Sequence, residues 1–200
     1  AFVEAVDHFE ANAQRDGLVE CHGQLRAIAA TMFNVANNLR WLASGPLCGF
    51  GEIQLPALQP GSSIMPGKVN PVICETVVQV ACQVVGCDAA IAAGATGGVG
   101  SILELNLAMP MIAWNLLTQI RLLSATAETF RRRCIEGLRP VTERCEALVE
   151  QSLAMVTSLA PVFGYDEAAK IAKEALESGR TVRQVCLDRG VLEADELGRL

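Results

Sequence analysis

The chain has 200 residues, with 16 Lys and Arg against 22 Asp and Glu for a formal charge of −6, 51% hydrophobic residues and 19% charged ones. The acidic balance excludes a phosphate-backbone binder, which carries a basic excess on its surface, and the apolar content excludes a disordered chain. Only 4% of the residues are aromatic, and an apolar mass of Ala, Leu, Val and Ile predicts an all-α fold rather than an aromatic-rich β-sandwich.

The chain starts at Ala1 without Met, in a segment that reads as helical, and is expected to be a fragment of a longer protein. From Leu18 to Leu42 the apolar residues Leu18, Leu25, Ile28, Met32, Val35, Leu39 and Leu42 recur at steps of three, four and seven, which predicts a bundle helix packed along that seam. It ends at Ala43-Ser44-Gly45-Pro46, and residues 45 to 70 are rich in Gly and Pro without periodicity, the pattern of a long loop. Loops of that length inside compact domains are usually functional or mobile.

Asn70-Pro71 predicts the next helix start, with Asn70 as the N-cap and Pro71 at the first helical position. Val72 to about Ala93 is nearly all apolar and is expected to be buried on most sides, with Glu75, Gln79 and Gln83 as one narrow polar stripe. The glycines at 94, 97, 98 and 100 predict a break, and a second long helix is expected from about Pro110 to Glu136, closed by Gly137. Beyond Pro140 charged residues become frequent and elements shorten: Thr142 to Ser158, Asp166 to Ser178, a helix opened by the capping box of Thr181 and Gln184, and a last helix over Leu192 to Leu200. The predicted organisation is a bundle of long, roughly antiparallel helices over 1–140 followed by a small helical C-terminal domain over 141–200.

The eight cysteines, at 21, 48, 74, 82, 87, 134, 145 and 186, contain no Cys-x-x-Cys pair and read as buried thiols in a reducing, cytoplasmic compartment. His8 and His22 are the only histidines and read as structural or surface groups, so no metal is expected. No uninterrupted apolar run reaches the ~20 residues that span a bilayer, and no basic segment followed by an apolar stretch opens the chain. Neither a membrane nor a nucleic acid is an expected partner.

The stretch Gly61-Ser62-Ser63-Ile64-Met65-Pro66-Gly67-Lys68-Val69-Asn70-Pro71 packs hydroxyls, a cation and an amide into a loop that feeds a helix N-terminus. It is not a Walker phosphate loop: five residues separate its glycines instead of four, Val69 follows Lys68 where Ser or Thr is required, and Pro66 removes a backbone donor. Lys68, Asn70 and the helix amides suit a carboxylate and a dianion developing in a transition state, a field in which Ser62 could serve as a base. The same Gly, Ser and Pro content also suits an ordinary surface turn.

Residues 61–71 resemble the signature loop of the fumarase/aspartase superfamily, Gly-Ser-Ser-x-Met-Pro-x-Lys-x-Asn-Pro, with every fixed position present. Asn38 to Gly51, Gly86 to Asp88, Glu104-Leu105-Asn106 with Pro110, and Gly164-Tyr165-Asp166 to Lys173 further resemble the class II fumarases, as does Gly67, where aspartases usually carry Ala. Gly94 to Ile102 is a few residues longer than the family's turn.

The resemblance implies part of the superfamily's central helical domain with its small C-terminal domain, and the reversible hydration of fumarate to L-malate without a cofactor. It makes Ser62 the base that takes a proton from C3 of malate, and Lys68 and Asn70 the binders of the adjacent carboxylate. Ser63 would shape the loop, and Glu75 would pair with a catalytic histidine that orients the leaving water. The Ser/Thr-rich region with its carboxylate-gripping Arg, and the region holding that histidine, belong to family segments upstream of this sequence, so the chain is expected to be inactive alone. The resemblance also implies a homotetramer, with each active site drawn from three subunits, and a loop that orders on substrate. Two alternatives stay open: an aspartate ammonia-lyase or other fumarate-releasing lyase, and a non-catalytic assembly fragment.

Overall fold

Steps of four and three residues govern the first long helix. In the computed structural model, which describes residues 2–191, a short helix α1 (His8–Ala13) leads into α2 (Asp16–Leu42). Residues 2–7 precede α1 without helical structure, contrary to the helical reading of the chain's start, and Asp7 caps α1 by accepting from the amides of Phe9 and Glu10.

On α2 the inward seam alternates Leu18, Leu25, Met32 and Leu39 with His22, Ala29 and Ala36, and the last three are buried. Ile28 and Val35, assigned to the seam by sequence, are instead 51% and 44% exposed. Each stands one residue before a seam alanine, which turns it about 100° away around the helix.

Helix α3 (Val72–Ala95) packs on α2, and α4 (Met109–Phe130), continued by a π-helical turn over Arg131–Ile135, packs on α3. The core layers show that neighbours run antiparallel. Leu18 of α2 meets Ile91 of α3 and Ile112 of α4 at one end, Ala29 meets Ala81, Val84 and Leu123 in the middle, and Ala36 meets Cys74, Val77, Phe130 and Cys134 at the other end.

Small residues allow this close approach. A Cβ on Gly94 would stand 2.5 Å from Met111 Cε and 3.1 Å from Ile112 Cγ1. Gly94 is therefore a packing position inside α3 and not the helix breaker expected from sequence; the break comes at Thr96. A turn and a two-residue hairpin, Ser101–Ile102 against Leu105–Asn106, connect α3 to α4, and the buried Asn106 amide donates to Gly94 O at 3.1 Å while its oxygen accepts from Ala108 N at 2.9 Å.

α3 is buried on one face only, because α2 and α4 are its covering helices within this chain; Gln79, Cys82, Gln83, Val85, Ala89, Ala92 and Ala93 are exposed. This corrects the expectation of burial on most sides. By length and composition α3 is apolar enough to cross a bilayer, although Glu75, Gln79, Gln83 and Asp88 interrupt its apolar run. α4 likewise leaves Trp114, Leu117 and Ile120 exposed.

The chain divides into two compact units between Arg139 and Pro140. The second contains α5 (Thr142–Gln151), a 3₁₀ turn over Leu153–Ser158, α6 (Ala160–Phe163), α7 (Tyr165–Ser178) and α8 (Val182–Asp188), around Leu159, Ala168, Ile171, Ala175, Val182, Val185 and Cys186. The single helix expected over 142–158 is split at Ser152, whose backbone is extended and whose Oγ accepts from Ala154 N at 3.1 Å. The capping box forms in both directions, Gln184 N donating to Thr181 Oγ at 3.2 Å and Thr181 N to Gln184 Oε1 at 3.0 Å. The helix expected over 192–200 lies outside the described residues.

Candidate active site

After α2 the chain folds back on its own end, with Gly51 N donating to Ser44 O at 2.8 Å and Glu52 N to Leu42 O at 2.9 Å. The loop of residues 61–70 then leaves and returns at one point. Gly61 N donates to Lys68 O at 2.7 Å, and Asn70 Nδ2 donates to Gly61 O at 3.4 Å. A Cβ on Gly61 would stand 2.8 Å from Asn70 Oδ1, so any larger residue here would force the Asn70 side chain to shift. Inside it Ile64 N donates to Ser62 Oγ at 3.3 Å, Lys68 N donates to Met65 O at 3.3 Å, and Gly67 turns with φ +79°. The segment is a compact loop with adjacent ends that opens directly on α3, whose first-turn amides and dipole favour an anion.

Asn70 is therefore not the N-cap of α3. Pro71 holds that position without a side-chain cap, Glu75 N donating to Pro71 O at 3.0 Å, while the Asn70 side chain turns back to Gly61 in the neck. Of the residues singled out by sequence, Ser62, Lys68 and Asn70 share this one loop; Ser62 and Asn70 are half-buried, while Ser63 and Lys68 are exposed. Glu75 follows in the first turn of α3, half-buried, its carboxylate making no hydrogen bond among the described residues.

Sequence reasoning missed two buried pairs. His22 Nδ1 lies 2.6 Å from Asp88 Oδ1, and Arg26 reaches Asp88 Oδ2 at 3.0 Å, so His22 is a core histidine held by a carboxylate 66 positions away. His8 is an exposed group beside Glu4, at 3.1 Å. Cys74 and Cys134 meet in the core, but Cys21, Cys48 and Cys82 are exposed and Cys145 is half-buried, which corrects the reading of all the cysteines as buried. The exposed three lie on outer helix faces or in the loop after α2, where helical context alone does not bury a side chain. Among the described residues no three His, Cys, Asp or Glu side chains cluster as a metal centre requires.

A family described as Lyase matches residues 1–86, and one described as Fumarase C C-terminus matches residues 155–200. The chain is 50% identical over 195 residues to a class II fumarate hydratase of Corynebacterium efficiens, covering 97% of this chain and 40% of that protein. A class II fumarate hydratase of Mycobacterium tuberculosis is 52% identical over 188 residues, covering 94% of this chain and 39% of its own length. The crystal structure of a recombinant class II fumarase from Schistosoma mansoni superposes with a TM-score of 0.90 at 35% identity, over 99% of this chain and 41% of that one. The chain thus spans about 40% of the length of the relatives it matches. An intact signature loop seated at the head of α3, in a chain nearly all of whose own length aligns in sequence and fold with part of these enzymes, shows that the chain belongs to the class II fumarase family of the fumarase/aspartase superfamily.

Proposed function

We propose that this chain supplies one wall of the active site of a fumarate hydratase, which interconverts fumarate and L-malate. The observation that carries the reading is the clasped loop 61–70, which holds Ser62, Lys68 and Asn70 together at the N-terminus of α3 in a chain 50% identical to a class II fumarate hydratase. Ser62 takes the proton from C3 of malate. Lys68 and Asn70 hold the adjacent carboxylate and favour the aci-carboxylate dianion that proton removal creates, because a fixed cation and amide stabilise developing charge without reorganising. Ser63 shapes the loop, and Glu75 orients a histidine supplied by another part of the complete enzyme.

The complete enzyme is a homotetramer, with the units that divide between Arg139 and Pro140 serving as the end of its helical core and its C-terminal domain. Supporting this, Trp114, Leu117 and Ile120 on α4 and Ile28 and Val35 on α2 leave apolar faces uncovered, which large assemblies bury. The test is turnover by the purified full-length protein, followed by the ultraviolet absorbance of fumarate. Hydration of fumarate and dehydration of L-malate are expected; ammonia release from L-aspartate at a comparable rate would move the assignment to the ammonia-lyases, and no turnover of either would favour a non-catalytic assembly role.

A further inference from the structure

The sulfurs of Cys74 and Cys134 lie 3.6 Å apart, Cys74 in the first turn of α3 and Cys134 in the π-helical turn that follows α4. Both are enclosed, at 0% and 2% exposure. Two thiols facing each other at this distance need only close by about 1.5 Å to reach disulfide length. Beside them Leu55, Pro56, Leu58 and Arg133 line a half-open cavity of about 10 Å³, room for a molecule the size of water. One S–H···S hydrogen bond joins them, with either sulfur able to donate; that bond and burial push the Cys74 thiol up, and the same bond draws Cys134 down. Of the two, Cys134 is the thiol shifted toward the thiolate form.

We propose that Cys74 and Cys134 form a modification site, a buried dithiol that hydrogen peroxide converts to an intramolecular disulfide. Cys134 sulfur attacks the peroxide oxygen, the O–O bond breaks, and Cys134 becomes a sulfenic acid while the departing oxygen leaves as water. Cys74 sulfur then attacks the sulfenic sulfur, the S–O bond breaks, and water leaves with the proton of Cys74. Two thiols lose one electron each and the peroxide gains both. The bond staples the first turn of α3, next to Glu75, to the turn beyond α4, at the end of the helix pair that carries the signature loop.

The native full-length protein is treated with N-ethylmaleimide to block the exposed Cys21, Cys48 and Cys82, exposed to hydrogen peroxide, denatured with a second alkylating agent, and mapped by mass spectrometry without reduction. A cross-linked peptide pair joining Cys74 to Cys134, released by dithiothreitol and accompanied by a higher Tm, is expected. Cys186 is equally enclosed, has burial as the main cause that raises its thiol, and should remain alkylatable, which separates pairing from burial alone. In Cys134→Ser, Cys74 should stay a free thiol. The inference is overturned if Cys74 and Cys134 are both alkylated to the same extent as Cys186, or are found singly as sulfinic acids. The map of the unmutated protein decides this even if the variant does not fold.

Discussion

The imidazole of His22 and the carboxylate of Asp88 meet at 2.6 Å between α2 and α3, with side chains only 5% and 10% exposed. Removing one partner leaves the other buried without its match. Asp88→Ala should therefore cost about 3 kcal/mol of unfolding free energy, while Asp88→Asn, which keeps an acceptor for the ring, costs less. Arg26, 58% exposed on the same carboxylate, contributes under about 1 kcal/mol. Urea denaturation at one fixed protein concentration measures all three, and equal losses for Asp88→Ala and Arg26→Ala would refute the ordering.

Ser62 lies six residues before Lys68 and eight before Asn70 in one clasped loop. If it is the base, Ser62→Ala in the full-length enzyme lowers kcat by roughly 10²-fold or more with KM within a few-fold, the pattern of an interaction made in the transition state. Lys68→Met damages both parameters, since a cation on the carboxylate acts on ground and transition states alike. Steady-state kinetics with fumarate and with L-malate checks both, and near-normal kcat in Ser62→Ala would make the loop a structural turn.

The loop should be ordered at its neck and loose at its tip. Gly61 N is bonded across the neck to Lys68 O, whereas residues 63–67 are exposed. In hydrogen exchange without substrate, the amides of Ser63 and Gly67 should exchange far faster than that of Gly61, and a dicarboxylate should slow them. Tip amides as protected as those of α3 before ligand is added would contradict a loop that orders on substrate.

In the second unit Glu174 receives Arg189 at 2.6 Å and Arg180 at 2.7 Å. The Arg189 hydrogen bond, then its charge and the contacts from Arg180, hold the Glu174 carboxyl below its ordinary value of 4.5. The unfolded chain binds this proton more readily than the folded one. The contribution is therefore complete above the ordinary carboxylate range and is lost as pH falls through the lower, folded value. Arg189→Gln should flatten the acid limb of a plot of Tm against pH, and added salt should do the same because these groups are exposed to solvent. An unchanged acid limb in the variant would remove Glu174 from the account.

The long helices are legible in the sequence because three- and four-residue apolar spacing is a local property. Which residues face inward is less so. Ala29 and Ala36 carry little hydrophobic signal, yet they lie at the α2–α3 contact, while the larger Ile28 and Val35 look outward. Gly94 reads as a breaker until α4 is seen to fill the space a side chain would need. The candidate site is legible as a motif, residue by residue. Its closure is not, since the Asn70 to Gly61 bond spans nine residues, and the pairings of His22 with Asp88 and Cys74 with Cys134 span 66 and 60.

Trp41 and Trp114 are 61% and 70% exposed, the first edge-on to Phe50 and the second on the outer face of α4. With both indoles in water in the folded chain, their emission is already red-shifted, and denaturant moves it little. Tryptophan fluorescence is thus a poor reporter of melting for this chain and a good one of coverage. An emission that moves to the blue as protein concentration rises, and that Trp114→Phe abolishes, would follow another surface closing over α4.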